Sequence, residues 1–454
     1  MAENNGVYGK ALRHRTFLIP YMGDISHVLA ASMRHFGIDS RALPTAGEDA
    51  FRMADKHVYT ETCFPLKGVV GDTLSFLAEE SRRLGKETTE NRYLLALPTT
   101  CGPCRFGKYG EVLRQFMDRE GFEKVPVAGP TTETNYTDLL GEGYSLREKM
   151  RFYRLVMKAV LASDLLDDIV LRYRPYAGDR AAANRLKEQC LDELVAVLEA
   201  GGDMARLRQW AASTLEKFRQ YDRGRRYPLV LYAGEIYMRK HDPYTSHVIE
   251  RLEEKGLEMI RPPVMEWIEY INITNVGVMR RAWKWAVRGR QFKRAAQSLL
   301  RLVLYRANYR KIEKTREELA EPVAAHLSDR HVLPEADELI RILEEAGEFH
   351  GQITGEAALS IGLAYFLMND RVRSRNGAHL SGMFHVGPFT CMQEGVAAAK
   401  IDSLATALRR RDPDAMFPVL HGFFGDSPNP NLEAEMAVFA EQCYQKRDIL
   451  LQGR

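Results

Sequence analysis

The sequence predicts an α/β protein of two Rossmann-like, parallel-sheet domains with helical insertions, and three observations predict it. Short apolar runs alternate with amphipathic helical stretches near the N-terminus. The same rhythm restarts near residue 228. Between them lies a segment whose apolar positions recur at helical spacing. At roughly 150 residues per domain, a chain of 454 residues is expected to form about two to four domains.

The elements follow in order. Residues 15–21 (RTFLIPY) read as a strand stopped by Pro and Gly, and Asp24 or Ser26 is placed to cap a helix running to about Phe36. A second apolar run at 41–45, a helix over 64–84, a strand at 93–99, a helix over 107–119 and a strand at 124–129 complete an N-terminal α/β domain, bounded at 1–144. Over 145–225 charges fill the positions between helically spaced apolar residues, which predicts a helical segment. The C-terminal α/β domain, 226–454, opens with the strand 228–233. A helix (244–255), a strand (257–261) and a helical insertion from about 275 to 346 follow. The chain then runs helix 356–368, strand 382–389, helix 393–408, strand 418–424 and helix 430–446.

Hydrophobic residues at 45% and charged residues at 28% are the mixture of a globular protein. A net charge of +3 gives no reason to expect nucleic acid, and Arg223, Arg225 and Arg226 form only a short solvated run. The N-terminus is polar, and the longest apolar stretch, Ala357 to Met368, falls short of the roughly 20 residues of a membrane span. The expectation is a cytoplasmic protein with no membrane partner, where grouped cysteines point to metal or catalysis before disulfides.

Four of the six cysteines sit where a strand gives way to a helix. Cys101 and Cys104 form the C-x-x-C of TTCGPCRFGKYGE, Cys63 lies in ETCFPLKGVVGD, and Cys391 lies in HVGPFTCMQEG. The carboxyl edge of a parallel sheet is where ligands bind, and the first turn of a helix offers free N–H groups and a positive dipole end to an anionic metal–thiolate centre. Arg105 and Lys108 add positive charge. Convergence of four thiols on one centre between the domains suits an iron–sulfur cluster. Zinc, a dithiol redox pair and buried bystanders are the alternatives. Cys190 and Cys443 fall in helical patterns and read as packing residues. Glu235, at the end of the strand 228–233, is a candidate catalytic acid–base group and equally a helix cap, with Tyr237 and Arg239 nearby. His385 and His379 precede Cys391, and His385 is the second catalytic candidate. Gly23 and Asp24 sit where a phosphate or ribose could bind.

Five stretches together resemble the 2-hydroxyacyl-CoA dehydratase superfamily, and more closely its activase-related branch near the double-cubane-cluster reductases. They are FLIPYMGDISHVLAASMRHFGID at 17–39, ETCFPLKGVVGD at 61–72, TTCGPCRFGKYGE at 99–111, GEIYMRKHDPYTSHVIERLEEKG at 234–256 and HVGPFTCMQEG at 385–395. The resemblance implies a cubane cluster, 4Fe-4S, at the interface of the α/β domains, held by Cys63, Cys101, Cys104 and Cys391. It implies a separate ATP-hydrolysing activator with its own 4Fe-4S cluster, which injects low-potential electrons, and an acyl-CoA or other small molecule as substrate. Dehydratase subunits are known for three cysteine ligands and an open iron; four ligands would make an electron relay. The alternatives are a non-catalytic iron–sulfur binding or maturation partner of the activator, and an 8Fe-9S double-cubane reductase. The latter would need about six thiolates and so also Cys190 and Cys443. No G-x-x-x-x-G-K-S/T motif is present, so the ATPase is expected on another chain. A homodimer is the default assembly.

Overall fold

A computed structural model describes residues 12, 14–45, 47–59, 62–100, 102–131, 137–140, 144–224, 226–328, 330, 333–351, 353–369, 380–412 and 417–452. Two four-stranded parallel sheets organise them, in keeping with two Rossmann-like domains. The first holds β1 (Thr16–Ile19), β2 (Ser40–Ala42), β3 (Tyr93–Ala96) and β4 (Val127–Ala128) in the order β2-β1-β3-β4, with Leu18 paired to both Arg41 and Leu95. The second holds β5 (Leu229–Gly234), β6 (Glu258–Ile260), β7 (Leu380–Pro388) and β8 (Val419–Phe424) in the order β6-β5-β7-β8, with Phe384 paired to Tyr232 and Leu420. β1, β3 and all nine residues of β7 are buried, as strands covered by helices on both faces must be. In each sheet the chain winds first to one side and then to the other, so the switch points lie between β1 and β3 and between β5 and β7. Parallel sheets bind ligands outside the carboxyl ends of such pairs.

Three helices follow the first sheet: Leu146–Tyr173, Arg180–Glu199 and Met204–Arg219. Each starts on a side-chain cap, Ser145 in a reciprocal box with Glu148, then Asp179, then Asp203. Their core joins Leu166, Leu194 and Phe218 to Ile25 and Val28 of the Asp24–His35 helix. Cys190 is buried in this core, and Cys443 is buried in a different one beside Phe384 and Phe439.

A buried ion network ties the helical segment to the second sheet's domain. Lys240 bridges Asp164 (3.2 Å) and Asp167, Arg261 reaches Asp167 at 2.6 Å, and Lys187 reaches Asp24 at 2.8 Å. Burial alone would raise the Asp167 carboxyl, but Arg261, Lys240 and Lys187 together hold it below its ordinary value. Asp24, a candidate for phosphate or ribose binding, is thus engaged by a lysine. Asp164 accepts from the amides of Val264 and Met265 at 2.9 and 3.0 Å, capping from outside the helix Val264–Arg288. This helix therefore begins about eleven residues before the expected 275. It takes in Trp267 and Ile268, which are half-buried against the core. Two short helices, Glu48–Ala54 and Lys86–Arg92, are additions to the expected pattern.

The two sheets' domains meet along the Phe64–Leu84 helix. A Cβ on Gly68 would lie 2.2 Å from the Tyr244 ring, so only glycine lets the second domain approach this closely. Lys67 bridges Asp55 and, at 2.6 Å, Asp426 of the second domain.

Candidate cluster site at the sheet edges

The residues leaving the carboxyl ends of β3, β5 and β7 face one another. Cys63 is the N-cap of the Phe64–Leu84 helix, Cys104 that of a 3-10 turn at Arg105–Lys108, and Cys391 that of the Met392–Arg411 helix. None of the three sulfurs makes a capping hydrogen bond. The amides of Leu66, Phe106 and Glu394 nevertheless face them closely enough to favour the thiolate. The Tyr109 hydroxyl donates to the Cys63 sulfur at 3.0 Å. Burial, with a smaller push from the negative charge of Glu235, raises all three thiols, Cys63 and Cys104 to about 11. Cys63 adds a small further upward push to Cys104 and to Cys391, so each of those two sulfurs lies within electrostatic reach of Cys63. Cys104 combines solvent exposure with a raised thiol. The five described cysteines are all free thiols. Cys101 and His379 lie outside the described residues.

The Arg105 guanidinium, next to Cys104, donates to the carbonyl oxygen of Thr390, next to Cys391, and so joins the two domains across the site. Thr390 has φ 65°, a left-handed conformation that is strained for a β-branched residue. Such strain gathers where surrounding structure fixes a backbone for a purpose other than stability. At the end of β5, Gly234 has φ 138°, and a Cβ there would fall 1.8 Å from the Val386 carbonyl oxygen. Glycine thus lets β5 and β7 close up just where Glu235 begins.

Glu235 is both things that its position predicts. It caps the Ile236–Lys240 helix, accepting from Met238 at 2.8 Å, and it stands among the cysteines. With it are Glu356, which accepts from the Ile236 amide at 2.8 Å, and Glu394, which is fully buried. Burial, with a smaller push from Glu394, raises the Glu235 carboxyl to about 7. Burial together with Glu235 and Glu394 raises Glu356 well above its ordinary value. Both residues keep some solvent-accessible surface. Arg239, buried on Glu266 at 3.1 Å, draws both carboxyls the other way, and the Tyr237 ring lies tilted against His241 with centroids 5.0 Å apart.

His385 lies behind Glu394. Its Nε2 is 2.6 Å from Glu394 Oε2, its Nδ1 is 2.8 Å from His421 Nδ1, and His421 Nε2 is 3.2 Å from Asp402 on the surface. With His421 donating to Asp402, its Nδ1 accepts from His385, whose Nε2 then shares one proton with Glu394. Among the described residues Glu394 Oε1 has no hydrogen-bond partner. Glu356, Glu394, Tyr109 and His421 escaped the sequence reading. Only Glu394, three residues after Cys391, carried a local signal.

A pH effect follows from Glu235. Its folded-state value exceeds its unfolded one, so the stability that it contributes is complete below about pH 4.5 and is lost as pH rises to about 7. Glu235→Gln should therefore melt higher than the parent at pH 8, by about 1–3 kcal/mol, and nearly with it at pH 4. Equal differences at the two pH values would count against a buried protonated carboxyl.

Among the described residues no three His, Cys, Asp or Glu side chains close on a point where a single metal ion could sit. No family model matches the chain, and no curated protein matches it.

Proposed function

We propose that the chain is a cytoplasmic iron–sulfur redox protein, akin to the activase-related branch of the 2-hydroxyacyl-CoA dehydratase superfamily. It takes low-potential electrons from a separate ATP-hydrolysing activator and delivers them to an acyl-CoA or another small molecule. The observation that supports this reading is that Cys63, Cys104 and Cys391, from both domains, each stand at the N-cap of a helix or 3-10 turn within electrostatic reach of Glu235, a carboxyl that burial raises to about 7. The donor set suits a cluster. The sulfurs are free, soft, and set at helix starts, and each would take a separate iron, a wider arrangement than a mononuclear site. Cys101, three residues before Cys104 in the sequence, would be the fourth ligand.

Bound there, such a cluster supplies one-electron reduction. The chain's own residues do the rest. Tyr109 and the first-turn amides orient and stabilise sulfur charge. Glu235 and Glu356 hold protons near neutral pH beside the reducing centre, and reduction of a carbonyl or loss of a hydroxyl consumes protons. The His385–His421–Asp402 line positions Glu394 and connects it to the surface.

Burial of Cys190 and Cys443 in two separate hydrophobic cores weighs against recruiting them for a double cubane. The exposure of Cys104 favours, as a second reading, an electron relay or maturation partner that never turns substrate over.

The test is iron and acid-labile sulfide per chain after purification without oxygen. About four of each would support one cubane, and about eight iron the double cubane. No iron would sink the redox reading. Electron consumption with activator, ATP and an acyl-CoA then separates enzyme from relay.

A further inference from the structure

The Val264–Arg288 helix and the Phe292–Ala320 helix form a hairpin through a turn at 289–291, with Ala286, Ala295 and Leu302 buried between them. From Tyr270 to Ile312 the sequence carries eleven Lys and Arg and no Asp or Glu. The other 53 cations face 61 anions, so a hairpin of +11 stands on a body of −8, a contrast that the net charge of +3 conceals. None of the eleven pairs with a carboxylate among the described residues.

The same hairpin leaves large apolar side chains in water. Trp285 and Phe292, flanking the turn, are 72% and 73% exposed. Leu299, Leu300, Val303 and Leu304 are exposed on the second helix, spaced at 7, 8, 11 and 12 residues from Phe292 and hence on one face with it. A cleft of about 640 Å³ lies at the tip, lined among others by Trp285, Arg288, Gln291, Arg294, Ser298 and Arg301, three guanidiniums against an aromatic wall with no acidic group.

We propose that this hairpin docks on an anionic phospholipid surface. The cleft takes a headgroup phosphate, while Trp285, Phe292 and the Leu299–Leu304 face lie at the boundary of headgroup and acyl chain. Cations supply the attraction and the apolar face the depth, which is how basic amphipathic helices lie in an interface. Nucleic acid would employ the guanidiniums and Trp285 but leave the aliphatic face wet. No helix of the described residues is long and apolar enough to cross a membrane, so the contact is peripheral. The sequence expectation of no membrane partner rested on the absence of a span, and this proposal departs from it.

The full chain should sediment with vesicles of mixed phosphatidylglycerol and phosphatidylcholine at low salt and not with phosphatidylcholine alone. Added salt should weaken the binding. The triple change Arg288→Ala, Arg294→Ala, Arg301→Ala should weaken it about a hundredfold. Trp285→Ser with Phe292→Ser should weaken it about tenfold or more, since each ring would give up burial in the interface. All five positions are exposed, and unchanged circular dichroism confirms each variant's fold. Equal binding to both vesicle types, or none to either, overturns the proposal. So does tighter binding of polyuridylate than of vesicles, or a dimer in sedimentation equilibrium that the Trp285→Ser, Phe292→Ser pair dissolves while vesicles bind nothing.

Discussion

Cys63→Ser and Cys391→Ser should each strip most of the iron from protein purified without oxygen, whereas Cys190→Ser and Cys443→Ser should leave the iron-to-chain ratio of the parent. The contrast comes from position. Cys63 and Cys391 cap helices that point at a shared space from two domains, so each represents a side of the site that no other described residue can replace. A serine hydroxyl is a poor, hard substitute for a soft thiolate. Cys190 sits among Leu194 and Trp210, and Cys443 packs against Phe439 and Gly382, both fully buried in hydrophobic cores. Cys104 gives an intermediate test, since an exposed ligand is easier for water or an added thiol to replace. Loss of iron from all six single variants alike would instead require the helix-buried thiols as ligands. Iron retained in the Cys63 and Cys391 variants would remove the basis of the redox reading.

Asp167→Asn should lower the stability of the whole chain by about 3–5 kcal/mol, read as a fall in the urea midpoint at unchanged slope. Asp167 is buried and answers two cations, Lys240 and Arg261, which the amide would leave short of charge in a poorly hydrated interior. The sign with pH is fixed by the direction of its shift. A carboxyl held below its ordinary value contributes stability above the unfolded value of about 4 and loses it as pH falls further. The gap between parent and variant should therefore be full at pH 7 and shrink below about pH 4. Lys240 ends the short helix that Glu235 begins, so the same variant should also disturb the carboxyl that stands among the cysteines. An unchanged midpoint would mean that Asp164 and Asp242 hold Lys240 and Arg261 without it.

The sequence was most legible where a local rule acts alone. TFLI and YLLA are strands because each is an apolar run with punctuation after it, and the helix expected over 64–84 is Phe64–Leu84. Cys104 and Cys391 follow strands, as the pattern predicts, but Cys63 does not: the short helix Glu48–Ala54 intervenes between β2 and the helix that Cys63 starts. The early start of the Val264–Arg288 helix was not readable, since its cap is a carboxylate a hundred residues earlier. His421 joins the site through pairing of β7 with β8, and Glu356, at the start of the Ala357–Met368 helix, through the Ile236 amide; such partners leave no mark at fixed spacing. The basic hairpin was fully visible as letters, and averaging over the chain hid it.

The Arg105–Thr390 bridge closes the site with groups made at opposite ends of synthesis. At about 5–20 residues per second, a ribosome needs roughly 15–60 s to pass from Cys104 to Cys391. Through that interval the first sheet can be complete while its cysteines face no second wall. The site thus comes into being only when the last third of the chain has docked, and whatever fills it must arrive at a nearly finished protein.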